Sequence, residues 1–215
     1  MKLAVLLFIL STNLVFGSLK EELNLQTRST HVPINYKEAN RILFTILDNK
    51  SGQICSLYSP DECIYSDTVP SPKIMNVEHT WPQSEGANGD AKSDLHHLFA
   101  TSSSTNSMRS SLPFCVVELV KWTNGFCKRG MSKFNEHCFE PPLDQRGNIA
   151  RAIFYFSIRY DKSIDANQEY YLRAWHKEDP VDEAEMFRMK VIERYQKNSN
   201  PFILHPELVE MVNDF

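Results

Sequence analysis

The sequence predicts one α+β domain. Several segments place apolar residues at helical spacing, the short segment from Asn76 to Pro82 reads as extended, and no internal repeat or low-complexity tract divides the chain. A length of 215 residues with 42% hydrophobic and 23% charged residues suits a single folded core and is too apolar for a disordered chain. With 23 Lys plus Arg against 27 Asp plus Glu, the formal charge is −4. That balance excludes a strongly basic nucleic-acid coat protein, although a local positive surface remains compatible with it.

The elements follow in chain order. Lys2 and the apolar run Leu3 to Leu10, followed by Asn13 to Gly17, have the layout of a secretory signal, so cleavage is expected after Gly17 and the folded domain is expected over 18–215. No later apolar segment is long enough to span a bilayer, so a soluble exported monomer is expected. Ala39, Ile42, Leu43, Ile46 and Leu47 share one face of a helix predicted over Tyr36 to Lys50. From Ser51 to Pro72 the chain is rich in Ser, Pro, Asp and Cys, and a loop held by its own cysteines is predicted. Gln83 to Lys92, with two glycines, reads as a second loop.

Beyond Gly147-Asn148, the residues Ile149, Ala152, Ile153, Phe156 and Tyr160 predict a helix that turns Arg151 and Arg159 away from its apolar face. Asp179-Pro180-Val181-Asp182 announces another helix, with Asp179 as the expected cap and Ala184, Phe187, Val191 and Tyr195 on one side, ended by Pro201. The tryptophans Trp81, Trp122 and Trp175 and the run Phe154-Tyr155-Phe156 are expected in the core. Five cysteines in an exported chain permit disulfides and leave one over; the short closures Cys55–Cys63 and Cys127–Cys138, with Cys115 free, are expected. Residues 91–175 are net basic between acidic flanks. Lys121, Lys128, Arg129, Lys133, Arg146, Arg151 and Arg159 could form a face for a polyanion, with an ordinary solvated surface as the simpler reading.

The chemistry concentrates between Asn76 and Arg109. In Glu78-His79 a carboxylate adjoins an imidazole in an extended segment, where neighbouring side chains point to opposite sides. That separation lets one residue hold a metal while the other stays free as a base. Glu78 and Asn106 offer oxygens, which suit a hard cation such as Mg²⁺. Arg109, three residues after Asn106, is placed to supply positive charge near a phosphate or to form a structural salt bridge; Lys92 is a weaker candidate for the same charge.

Three strings carry a resemblance: Glu78-His79-Thr80-Trp81-Pro82, Asp94-Leu95-His96-His97-Leu98 and Asn106-Ser107-Met108-Arg109-Ser110. Together they resemble the endonuclease I family of secreted and periplasmic nucleases, with its pattern Glu-His-x-x-Pro, Asp-Leu-His-Asn-Leu and Asn-x-x-Arg-Ser. The likeness continues through Phe139-Glu140-Pro141, Gly147 to Ala152, Phe154-Tyr155, Trp175, Asp179 to Asp182 and Asn200 to Leu208, and covers roughly Ala39 to the C-terminus. It implies a mainly helical domain with an embedded ββα-metal (His-Me finger) core at about residues 74–110. His79 is then the general base, and Glu78 and Asn106 are ligands of one divalent ion, Mg²⁺, with Mn²⁺ or Ca²⁺ as substitutes. The implied activity is hydrolysis of DNA, with RNA as a second substrate, at little sequence preference and leaving 5′-phosphates. The implied address is secreted or periplasmic.

One position departs from the pattern. His97 stands where the family usually has asparagine, a residue suited to tie down the loop between two strands; a histidine can replace only some of those bonds. Two other classes stay open beside the enzyme. One is a nucleic-acid-binding module on the same fold that does not cut. The other is a zinc peptidase built on His79, His96 and His97, against which the absence of His-Glu-x-x-His counts.

Overall fold

Ser18 opens the described chain, residues 18–215 of a computed structural model, by capping a helix; the expected signal segment 1–17 lies outside the described residues. Its hydroxyl accepts from the Glu21 amide while the Glu21 carboxylate accepts from the Ser18 amide, and this reciprocal pair starts α1 (Leu19–Ser29). Asn35 caps α2 (Tyr36–Ile42) by accepting from the Glu38 amide. Of the predicted helical face, Ala39, Ile42 and Leu43 are buried and Ile46 and Leu47 partly buried, with Phe44 buried beside them. The helix widens to a π-helical turn over Leu43–Leu47 and stops short of Asn49–Lys50, which form strand β1 instead.

The segment expected as a loop is a hairpin. Strands β2 (Gln53–Ser56) and β3 (Ser59–Tyr65) pair antiparallel with β1 at the edge, and Cys55 stands directly opposite Cys63, which forms the expected disulfide. Most of β3 is at least partly exposed, so no apolar alternation marks it in the sequence.

Strands β4 (Met75–His79) and β5 (Leu98–Ser102) form an antiparallel pair, and α3 (Ser103–Arg109) follows at once, capped by the Ser102 hydroxyl. Met75, Val77, Leu98 and Ala100 face a cluster made with Ala39, Ile42, Leu43 and Ile192. A second three-stranded antiparallel sheet follows, β6 (Leu119–Thr123), β7 (Lys128–Met131) and β8 (His137–Glu140). Residues Phe114 and Cys115 run beside β8, and the Cys115 amide donates to the Phe139 carbonyl at 3.1 Å. This places Cys115 next to Cys138, and those two form the second disulfide. The expected Cys127–Cys138 closure is therefore wrong: Cys127 is the free cysteine among the described residues, buried with its thiol donating to the Tyr58 carbonyl.

Helix α4 (Arg146–Tyr160) is the central element. Ile149, Ile153, Phe154, Tyr155 and Phe156 are all within 1% of full burial, and Trp81 and Trp175 pack into the same cluster, as expected for them; Trp122 packs at its edge, partly buried. Helix α5 (Ala166–Glu178) lies against α4, and α6 (Glu183–Gln196), α7 (Pro201–Leu204) and α8 (Leu208–Met211) complete the fold.

Asp179 does not cap α6. Its carboxylate accepts from the Gly147 amide at the start of α4, and its carbonyl comes so close to Gly147 that a Cβ there would collide with it. Asp182 caps α6 instead by accepting from the Glu185 amide. The buried side of α6 carries Glu185, Met189, Val191, Ile192 and Gln196; of the predicted face, Val191 is buried and Tyr195 partly buried, while Ala184 is exposed and Phe187 is 66% exposed. The reason is charge: Glu185 turns inward to pair with Arg151, which is fully buried rather than solvent-facing. Arg146 is likewise buried, paired with Glu140. Arg146 and Arg151, two members of the expected basic face, are thus buried in ion pairs, and a third, Lys128, meets Glu140 at 3.2 Å.

Candidate active site

The last two residues of β4 reach different neighbours, as alternation along a strand requires. Glu78 is 1% exposed; its Oε1 accepts from the Tyr58 hydroxyl at 2.8 Å and lies 3.3 Å from Nε of Arg109. Burial raises the Glu78 carboxyl above the ordinary range, opposed by Arg109 and the Tyr58 hydroxyl. Its Oε2 has no protein partner among the described residues.

His79 turns the other way. Its Nε2 lies 3.0 Å from the Lys92 carbonyl, which can only accept, so Nε2 carries the proton. The other nitrogen, Nδ1, keeps its lone pair, with the Gln83 amide group at 3.5 Å. Burial first, and then the neighbouring His97, holds the imidazole down to about 3, so it is neutral across the physiological range. A neutral imidazole with one nitrogen anchored and the other unprotonated has the form a general base requires.

The backbone that orients His79 is itself held. His97 Nε2 lies 2.7 Å from the carbonyl of Ala91, the residue before Lys92. Asp94 is fully buried and accepts from the Tyr155 and Tyr160 hydroxyls of α4, each at 2.8 Å, and from the His96 amide. Burial raises the Asp94 carboxyl, but the imidazoles of His96 and His97 and the Tyr155 hydroxyl outweigh it and keep it below the ordinary value. His96 Nε2 bonds the Asn198 carbonyl at 3.1 Å. His96 and His97 each have a ring nitrogen engaged by backbone, and among the described residues no three His, Cys, Asp or Glu side chains converge as a metal site. Neither observation suits a three-histidine zinc centre.

Asn106 sits in α3 and donates Nδ2 to the Val77 carbonyl of β4 at 3.1 Å, which turns the amide so that Oδ1 has no partner among the described residues. Arg109, one turn on, donates Nη2 to the Thr80 carbonyl and Nη1 to the Ser110 carbonyl at 2.7 and 2.8 Å, and stacks on Phe114. The salt-bridge reading of Arg109 is thus present, with Glu78 as its partner. Ser110, which receives it, has φ +53°, a left-handed value uncommon outside glycine.

All four residues expected at the site, Glu78, His79, Asn106 and Arg109, line one open cleft of about 480 Å³, joined by Tyr36, Asn76 and Gln83. The two oxygens without hydrogen-bond partners among the described residues, Glu78 Oε2 and Asn106 Oδ1, are hard donors on residues of the same cleft lining. They fit a divalent ion that keeps most of its waters. Tyr58, Gln83 and Tyr36 were not legible as site residues. Tyr58 lies in the segment read as a loop, and Tyr36 reads only as the start of a helix.

A family model described as Endonuclease I matches residues 15–207. The chain is 33% identical over 161 residues to a protein named extracellular ribonuclease from Bacillus subtilis, covering 64% of this chain and 53% of that one. It is 30% identical over 210 residues to an extracellular ribonuclease from Bacillus amyloliquefaciens, covering 86% and 70%. A protein named extracellular deoxyribonuclease from Aeromonas hydrophila is 33% identical over 111 residues, 51% of this chain and 48% of its own. The chain thus spans about half the length of two of these relatives and 70% of the third.

Proposed function

The chain belongs to the Endonuclease I family, and from that premise we propose that it is an exported, metal-dependent endonuclease that hydrolyses phosphodiester bonds of DNA, with RNA as a second substrate. The observation that carries the reading is the convergence of Glu78, His79, Asn106 and Arg109, drawn from separate motifs, on one cleft with the lone pair of His79 Nδ1 unprotonated. The relatives' names, ribonuclease for some and deoxyribonuclease for others, support a nucleic-acid substrate without deciding the sugar.

In this reading β4, β5 and α3 are the ββα core of a His-Me finger. His79 Nδ1 takes a proton from the attacking water, whose oxygen bonds to phosphorus as the bond to the 3′-oxygen breaks; that oxygen leaves with the bonding pair and takes a proton from solvent, giving a 3′-hydroxyl and a 5′-phosphate. The Lys92 carbonyl holds the imidazole in the required tautomer, and Gln83 borders the same nitrogen. Glu78 and Asn106 would hold one divalent ion, Mg²⁺ with Mn²⁺ or Ca²⁺ as substitutes, and a bound ion would supply positive charge at the phosphate and leaving oxygens. Arg109 acts through Glu78, keeping that carboxylate ionised and aimed, and is a positioning residue. In this reading the chain contacts phosphates and has little sequence preference.

Export rests on the signal-like segment 1–17 together with relatives named extracellular and, in one case, periplasmic; no described helix is long and apolar enough to cross a membrane. The test is incubation of single- and double-stranded DNA and of RNA with Mg²⁺ or EDTA, followed by a 5′-phosphate-dependent exonuclease. Metal-dependent fragments that the exonuclease degrades support the reading. Binding without cleavage in Mg²⁺, Mn²⁺ and Ca²⁺ would replace it with the non-cutting binding module.

A further inference from the structure

His79 and Tyr36 line the cleft, and Lys92, next to both, closes a triangle with them. The carbonyl of Lys92 bonds His79 Nε2, its ammonium lies 4.5 Å from the centre of the Tyr36 ring, and that ring stacks on the His79 imidazole with centres 6.0 Å apart and planes 28° from parallel. Tyr36 comes from α2, outside the β4–β5–α3 unit, and it lines the cleft. We propose that Tyr36 and Lys92 form a subsite for the nucleotide beside the scissile phosphate, with the Tyr36 ring stacking its base and the Lys92 ammonium meeting its flanking phosphate. The proposal rests on the nuclease reading and deepens it.

The charge inventory points to Lys92. The chain as a whole is acidic, so a polyanion must be met by local cations. Arg109 lines the cleft but its charge is committed to Glu78 in a buried pair. Lys92 is partly exposed and pairs with no carboxylate among the described residues, and its backbone is fixed beside His79. Its ammonium is therefore tethered within one side chain's reach of the base. The ring supplies the second element. Tyr36 is half-buried rather than core, and it lines the cleft beside the imidazole on which it stacks. Aromatic stacking accepts any base, which agrees with an enzyme that shows little sequence preference.

The test is cleavage of a single-stranded oligonucleotide by the full chain in Mg²⁺, with kcat/KM measured across salt from about 50 to 200 mM. Each phosphate contact on a single strand adds about 0.7 to the salt slope, so Lys92→Gln should flatten the slope by about that amount. Lys190→Gln, the same charge change on the exposed side of α6 away from the cleft lining, should not. Tyr36→Leu, which keeps bulk without a ring, should lower kcat/KM by roughly tenfold or more, and Tyr36→Phe should lose less. Melting temperatures separate loss of binding from loss of fold, and the partly exposed, unpaired Lys92 keeps the test decisive if Tyr36→Leu proves unstable. An unchanged slope in Lys92→Gln, or equal rates for Tyr36→Leu and Tyr36→Phe, overturns the subsite and leaves the nuclease standing. Absence of any cleavage by the wild-type chain overturns both.

Discussion

His79 and His97 hang from adjacent carbonyls of one loop: Nε2 of His79 meets Lys92 at 3.0 Å and Nε2 of His97 meets Ala91 at 2.7 Å, with the two rings edge to face at 5.5 Å. Whatever moves one carbonyl moves the other, so the residue that occupies the usual asparagine position is tied to the tautomer of the candidate base.

His97→Ala should therefore act at a distance. It strips a buried carbonyl of its donor, a loss of about 1–3 kcal/mol in stability, and loosens the Lys92 carbonyl, which should lower turnover by roughly tenfold to a hundredfold. His97→Asn, which restores a donor, should fall between wild type and alanine. Denaturant unfolding and steady-state cleavage measure both, and unchanged turnover in His97→Ala contradicts the coupling.

Acid should weaken the fold through His79. Its folded value is held down to about 3, below the 6.5 of a free imidazole, so the unfolded chain binds a proton that the folded chain refuses. Its contribution is complete above about pH 6.5 and is lost as pH falls from there toward 3, by up to about 1.4 kcal/mol per pH unit. The stability of the wild type relative to His79→Gln should thus decline between pH 7.5 and 5. A difference that stays flat over that range contradicts the assignment.

Arg109→Ala should be among the most destabilising single changes in the site. It leaves Glu78 charged, buried and unpaired, at a cost of about 3–5 kcal/mol. Arg109→Lys should not restore stability, because one ammonium cannot serve Glu78 and the Thr80 and Ser110 carbonyls with the guanidinium's geometry. Equilibrium unfolding checks both variants; a loss under about 1 kcal/mol for alanine is incompatible with the buried pair.

A non-reducing peptide map should join Cys55 to Cys63 and Cys115 to Cys138, with Cys127 alkylated only after unfolding. Replacing Cys115 and Cys138 together by serine should cost about 3 kcal/mol through the loop that the bridge closes. A peptide joining Cys127 to Cys138 would refute this pairing.

Helices α2 and α4 and the site were the most legible parts of the sequence, for different physical reasons, whereas α1 and α5 were not read from it. Helix α4 announces itself because its apolar face is wide and fully buried, so periodicity carries the signal. The candidate site is legible because strings of polar residue types recur together in a family pattern, and the fold brings Glu78, His79, Asn106 and Arg109 to one cleft. What escaped was non-local. The β2–β3 hairpin is short, and most of β3 is at least partly exposed, so no period marks it. Cys138 meets Cys115 because residues 114 and 115 run beside β8, a pairing that no sequence spacing reports. Asp179 is spent on the start of α4 rather than on the helix it precedes, and Arg151 is drawn inward by Glu185 from 34 residues away.

In the proposed function the chain cuts nucleic acid with His79 as its base. The most direct test is nicking of supercoiled plasmid by the chain from Ser18 onward, in Mg²⁺ and in EDTA, beside His79→Ala. Conversion to open-circular and linear forms in Mg²⁺, absent in EDTA and reduced at least about a hundredfold in His79→Ala, is the predicted result. Intact plasmid with the wild-type chain in Mg²⁺, or equal nicking by His79→Ala, would contradict it.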